Sequence, residues 1–197
     1  MASRPTPPVA PRKTHTWNRP TGAVEDPYAW LIKKDDPDTI AYLNAENAFC
    51  DEWFTPHELM IDTLFTEIKS RVREDDTSVP VRRGSWWYSS QTEEGLPYAI
   101  HTRGTTLKTS NEVVLLDENK EAGDSDYFSL SAFDISHNDN LLAWSSDLDG
   151  SEKYTLRIRD LTTGQDLADT IPDTTWGGTA WSMDDQWLFY VTPDGAM

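Results

Sequence analysis

Ile135-Ser136-His137-Asn138-Asp139-Asn140-Leu141-Leu142-Ala143-Trp144 recurs as Trp181-Ser182-Met183-Asp184-Asp185-Gln186-Trp187-Leu188-Phe189-Tyr190, with Ser136 and Ser182 lying 46 residues apart. In each copy an apolar residue enters, Ser and Asp turn the chain, and a run of large apolar side chains leaves. A period of this size suits one four-stranded blade of a β-propeller, whose face must pack on the next blade. Gly84-Ser85-Trp86-Trp87-Tyr88 reads as the same hairpin in an earlier blade.

Outward from the repeat, Tyr98-Ala99-Ile100, Val113-Val114-Leu115-Leu116, Tyr154-Thr155-Leu156-Arg157-Ile158 and Trp187 to Val191 are further candidate strands. Their β-branched and aromatic residues suit a pleated, half-buried surface. Turn signals separate them at Glu94-Gly95, Asp149-Gly150, Thr163-Gly164 and Asp194-Gly195. From about Val79 onward there is room for two to three blades, whereas a closed ring generally needs at least four. The expectation is a mainly β chain with an N-terminal helical segment and a partial β-propeller that stops inside a blade.

Three regions are expected. Residues 1–25 contain Pro5, Pro7, Pro8, Pro11 and Pro20 and read as an extended arm. Residues 26–74 read as a helical segment. Asp36 can cap a helix beginning at Pro37, with Ile40, Leu43, Phe49 and Trp53 near helical spacing. Thr55-Pro56-His57-Glu58 reads as a capping box for a second helix with Ile61, Leu64, Phe65, Ile68 and Val72 on one face. These stripes need something larger to pack on. Residues 75–197 read as the incomplete propeller.

The chain has 17 Lys and Arg against 34 Asp and Glu, a formal charge of −17, which argues against nucleic acid and anionic membrane as partners. With 9 Trp, 7 Tyr and 6 Phe it is too aromatic for a disordered chain. Cys50 is the single cysteine and allows no internal disulfide; within an apolar helical pattern it reads as a buried thiol. The N-terminal run carries no apolar signal segment and no stretch is long enough to cross a bilayer, so a cytoplasmic location is expected.

No catalytic, cofactor-binding or metal-binding residue is assigned. Gly-x-Ser-x-Gly is absent, and Ser85 and Ser151 sit in apparent turns. His137, beside Ser136 and near Asp139, is a poor triad because neighbours in a tight turn cannot align as nucleophile, base and orienter. The repeat agrees, since Ser136 recurs as Ser182 while His137 becomes Met183. Paired acids such as Asp75-Asp76 and Asp184-Asp185 sit beside turns, where Asp serves the backbone.

Glu25-Asp26-Pro27-Tyr28-Ala29-Trp30-Leu31 resembles the opening signature of the prolyl oligopeptidase family of serine peptidases. Tyr42 to Asn47, Glu67-Ile68 with Arg71 to Pro80, Glu112 to Asn119 and Asp149 to Arg157 continue the likeness, the last two most like oligopeptidase B. The resemblance implies a propeller of seven blades inserted between an N-terminal helical segment and a C-terminal α/β-hydrolase domain, the latter absent here. It also implies a cofactor-free Ser-Asp-His peptidase that cleaves short basic peptides after Arg or Lys, with the propeller gating access. On that view this chain holds no triad residue and is itself inactive. Tyr28, Trp30 and Leu31 are expected to dock the helical segment on the hydrolase domain, or else to pack locally. The competing reading is a non-catalytic β-propeller binding module.

Overall fold

The chain divides into two units, one up to Val72 and one from Arg73, and the computed structural model describes residues 5–194. In the first unit, β1 (Thr16–Arg19) and β2 (Gly22–Glu25) pair antiparallel, with Thr16 opposite Glu25 and Arg19 opposite Gly22. The second half of the stretch read as an extended arm is therefore a hairpin. Pro20 opens its turn, and Gly22 closes it at φ 122°, a conformation that a side chain would disfavour. Residues 1–4 of that arm lie outside the described residues.

Helix α1 (Pro37–Phe54) starts as the sequence indicates: Pro37 is its first residue, and the Asp36 carboxylate accepts from the amide of Asp38 at 3.0 Å. Helix α2 (Glu58–Ser70) does not. His57 precedes it without a side-chain cap, and Thr55 turns backward, its Oγ1 donating to the carbonyl of Asp51 at 2.8 Å. Thr55 has helical φ and ψ, so it belongs to the end of α1 and cannot adopt the extended geometry that a capping box needs. Cys50 is exposed, a correction to the buried-thiol reading, because Thr39 is the one buried residue of α1. Helix α2 buries nothing; Leu59, Leu64, Phe65 and Ile68 all face outward.

The second unit is built of antiparallel sheets. β3 (Asp76–Thr77) and β4 (Val81–Arg83) both pair with β5 (Trp86–Thr92), followed by β6 (Ile100–Gly104) and β7 (Val113–Asp117). After the short helix α3 (Glu118–Ala122) come β8 (Ser129–Ile135), β9 (Leu141–Asp147), β10 (Tyr154–Asp160) and β11 (Gln165–Thr174), hydrogen-bonded in that order. β12 (Ala180–Trp181) and β13 (Leu188–Phe189) form a third hairpin. The Asp194-Gly195 turn signal runs past the described residues. Meanders of this kind, facing one another in series, are propeller blades, and the described residues form no closed ring.

Strand β9 sits in the middle. Leu142 and Trp144 join Leu115, Leu116 and Phe128 in one core, while Ala143 joins Ala132 and Leu156 in another, against Trp181 and Leu188. Successive side chains of a strand point to opposite faces, so β9 is buried on both sides between the first sheet and the third hairpin. Each fully buried Leu here contributes roughly 1.5–3 kcal/mol.

The repeat holds down to single hydrogen bonds. The amide of Ser136 donates to the carbonyl of Leu141 at 2.9 Å, and that of Ser182 to the carbonyl of Trp187 at 2.9 Å. Ser136 Oγ donates to Asn138 at 2.8 Å and accepts the amide of Leu141 at 2.9 Å. Ser182 Oγ does the same with Asp184 at 2.6 Å and the amide of Trp187 at 3.0 Å. Asp139 and Asp185, at equal places in the two turns, both take positive φ, 61° and 56°.

Candidate functional site

Among the described residues, Ser136 and His137 are not arranged for covalent catalysis. Ser136 is fully buried with its hydroxyl committed to its own turn, and the His137 ring is turned away toward Asp185. Ser85 and Ser151 lie in turns. Among the described residues, no group of three His, Cys, Asp or Glu side chains could hold a metal ion.

Tyr28, Trp30 and Leu31 lie at a single turn of 3-10 helix, Ala29–Ile32, in the first unit. Trp30 is 8% exposed. Its indole nitrogen donates to the carbonyl of Pro11 at 3.0 Å, its ring meets Tyr42 edge-on at 6.0 Å, and Lys13 Nζ lies 4.6 Å from the ring centroid. The carbonyl of Trp30 accepts from Thr39 Oγ1 at 3.2 Å, tying the turn to α1. Leu31 is half-buried and Tyr28 exposed. The signature stretch thus fixes the arm and α1 to each other and leaves Tyr28, Ile32 and the outer face of α2 open. Asp26 supports this arrangement. Its carboxyl is held below the ordinary carboxylate range by the Trp17 indole at 3.0 Å and the Tyr28 amide at 2.9 Å.

In the second unit the blades are joined by polar latches. Asp139 accepts from the Tyr88 hydroxyl at 3.1 Å, and its carbonyl accepts from Arg103 at 2.7 Å. Burial pushes the Tyr88 phenol above its ordinary range, against the pull of Arg103. Asp185 accepts from the amides of His137 and Asn138, each at 2.8 Å, and from His137 Nδ1 at 3.1 Å. In both copies the positive-φ Asp therefore takes donors from the preceding blade. Further out, Arg159 bridges Asp166 at 2.7 Å and Glu121 of α3 at 2.8 Å while stacking on Trp144. Burial opposes its charge, but the two carboxylates outweigh this and raise its affinity for the proton.

A cavity of 290 Å³ opens between the first sheet and β8, walled by Val79, Val81, Tyr88, His101, Leu115 and Phe133 among others. His101 Nε2 lies 2.7 Å from Glu118 Oε1, which fixes the ring against Phe133. The latches could not be read from sequence alone. Asp recurs visibly at 139 and 185, but the donors that meet it come from differing positions.

The family described as "Prolyl oligopeptidase, N-terminal beta-propeller domain" matches residues 7–196. The chain is 34% identical to dipeptidyl aminopeptidase BI of Pseudoxanthomonas mexicana, over 98% of this chain and 29% of that protein. It is 30% identical to Protease 2 of Moraxella lacunata, over 95% of this chain and 28% of that protein. Among solved structures, oligopeptidase B from Leishmania major superposes with TM-score 0.85 at 28% identity, over 96% of this chain and 29% of that one. Oligopeptidase B from Trypanosoma brucei with covalently bound antipain gives TM-score 0.84 at 24% identity, a likeness of fold. The chain thus spans under a third of the length of the relatives it matches.

Proposed function

Since the chain belongs to the prolyl oligopeptidase family, of whose N-terminal β-propeller domain it carries part, we propose that it is the access-gating portion of a serine-type oligopeptidase that cuts short peptides after Arg or Lys. The observation that carries this reading is the likeness to oligopeptidase B along almost the whole chain. The excess of acidic residues supports it, since a negative surface raises the encounter rate of basic peptides more than their affinity. Catalysis belongs to a hydrolase domain outside this chain, needs no cofactor and takes place in the cytoplasm on this reading. Tyr28, Trp30 and Leu31 anchor the segment that docks there, Trp30 from inside and Tyr28 at the surface.

A second reading is favoured by the relative named dipeptidyl aminopeptidase BI: release of dipeptides from a free N-terminus. Fluorogenic peptides with P1 Arg, Lys or Pro, each with free and with blocked N-terminus, separate the two in the complete protein. Cleavage of blocked Arg and Lys substrates, with labelling by a fluorophosphonate, is the expected result. A requirement for a free N-terminus supports the dipeptide-releasing reading, and absence of both labelling and cleavage supports a binding module.

The exposed face of α2 gives a second test. Leu64 and Phe65 touch little, so L64S/F65S is expected to leave the melting of this chain within about 0.5 kcal/mol of wild type. In the complete protein the same pair is expected to lower kcat/KM at least about tenfold, because docking two apolar side chains contributes a few kcal/mol. An unchanged kcat/KM would remove α2 from the docking surface.

A further inference from the structure

We propose that the cavity between the first sheet and β8 is a binding site for a small uncharged phenol, its ring held by apolar walls and its hydroxyl by Ser90 and His101. The strand register builds the wall. Val81 stands opposite Tyr88 and Ser90 opposite His101, so all four side chains leave the first sheet on one face. Phe133 of β8 closes the cavity from the next blade, and the bulge in β7, beside the step from His101 to Thr102, turns Leu115 into the same core as Leu116. Leu115 is buried at the floor, while Val79 and Val81 are exposed at the rim.

The volume of 290 Å³ exceeds the about 150 Å³ that suffices for benzene in an apolar protein cavity. Tyr88 and Phe133 offer ring faces and edges to an aromatic guest. No lining side chain carries a fixed charge, and the His101 imidazole is already paired with Glu118 at 2.7 Å. A charged guest would therefore give up its hydration without an ion partner in the wall.

The polar end of the guest follows from which wall atoms are already spent. The Tyr88 hydroxyl is committed to Asp139, and those of Ser89 and Thr102 to each other. The Ser90 amide donates to Ser78 Oγ at 2.9 Å, and the Ser90 carbonyl accepts from the Ser78 amide at 2.8 Å. Ser90 Oγ and His101 Nδ1, on residues paired across β5 and β6, make no hydrogen bond among the described residues. As a carboxylate, Glu118 can only accept, so Nε2 of the neutral ring holds the hydrogen and Nδ1 is left an acceptor. Ser90 Oγ can donate. A guest hydroxyl gives to the first and takes from the second at once, whereas an ether only accepts and an indole N–H only donates.

Titration of the intact protein with p-cresol and with toluene, followed by amide chemical shifts in β5 and β6, tests the site. A Kd of about 1 mM is expected for p-cresol, with toluene about fivefold weaker because it lacks the hydroxyl. S90A is expected to abolish that preference. V81W, which places an indole at the exposed rim, is expected to weaken p-cresol at least about tenfold while the melting temperature stays within about 2 °C of wild type. N-acetyltyrosinamide identifies the source of the ring: an affinity matching that of p-cresol assigns the site to a tyrosine side chain of a peptide, and one at least about tenfold weaker assigns it to a free phenol. No saturable binding of p-cresol up to about 10 mM, toluene bound as tightly as p-cresol, or p-cresol binding unaltered in V81W would overturn the proposal.

Discussion

Trp144→Ala is expected to lower the unfolding free energy of the β unit by about 3–5 kcal/mol, the range for removing a buried large aromatic side chain. Trp144 is 2% exposed and lies in the core between the first two sheets. Its indole nitrogen donates to Asp166 at 3.2 Å, and Arg157 and Arg159 stack on the ring at 5.2 and 5.1 Å. Alanine therefore opens a cavity and strips the packing from a half-buried guanidinium at once. A urea midpoint lowered by at least about 1 M would show it. Trp187 is the control, since at 70% exposure its replacement by alanine is expected to change stability by no more than about 0.5 kcal/mol. Equal losses for the two tryptophans would mean that the core does not lie where β9 places it.

Gly104→Ala is expected to be the most damaging change of a single methyl group. A Cβ at this position would stand 1.5 Å from the carbonyl oxygen of Thr109 and 2.2 Å from its carbon. Those are backbone atoms and cannot rotate aside. The 3-10 turn Leu107–Thr109, held by the reciprocal Thr106 and Thr109 hydrogen bonds, must move outward as a body. That movement pulls the Ser110 carbonyl from Ser89 Oγ, now at 3.2 Å, and disturbs the buried Ser89 and Thr102 pair at 2.9 Å. A loss of about 3 kcal/mol follows, at the upper end for overpacking. It should be accompanied by the largest loss of exchange protection at residues 104–112; a variant as protected there as wild type would contradict the close approach.

The propeller repeat was legible because its turn is made by side chains that recur, Ser136 and Ser182 supplying the same two hydrogen bonds. The strands that escaped reading had no such signal. β11 is polar, contains Pro172 and is exposed over most of its length at the outer edge of its sheet; Ile171 and Thr174 alone turn inward, too few to impose alternation. β8 shows only Ile135 plainly, since Ser129, Ser131 and Ala132 are small and a bulge between Leu130 and Phe133 breaks the period of two. The Thr55 to Glu58 pattern has the right letters for a capping box, but α1 runs on into Thr55 and claims its hydroxyl. Trp30 was conspicuous in sequence. That its indole is spent on Pro11 becomes visible only once the arm is seen folded against the 3-10 turn.

The positive-φ aspartates carry a meaning beyond adhesion. In the two repeated turns each is met by a donor set peculiar to its predecessor: a phenol for the Asp139 carboxylate, two amides and an imidazole for that of Asp185. Blades that share one backbone plan could in principle be exchanged, yet Tyr88 offered to Asp185 would leave two of its acceptor positions empty, since the amides of His137 and Asn138 fill them here. The joints thus act as a serial address, in which the backbone repeats and the side chains record which copy comes next.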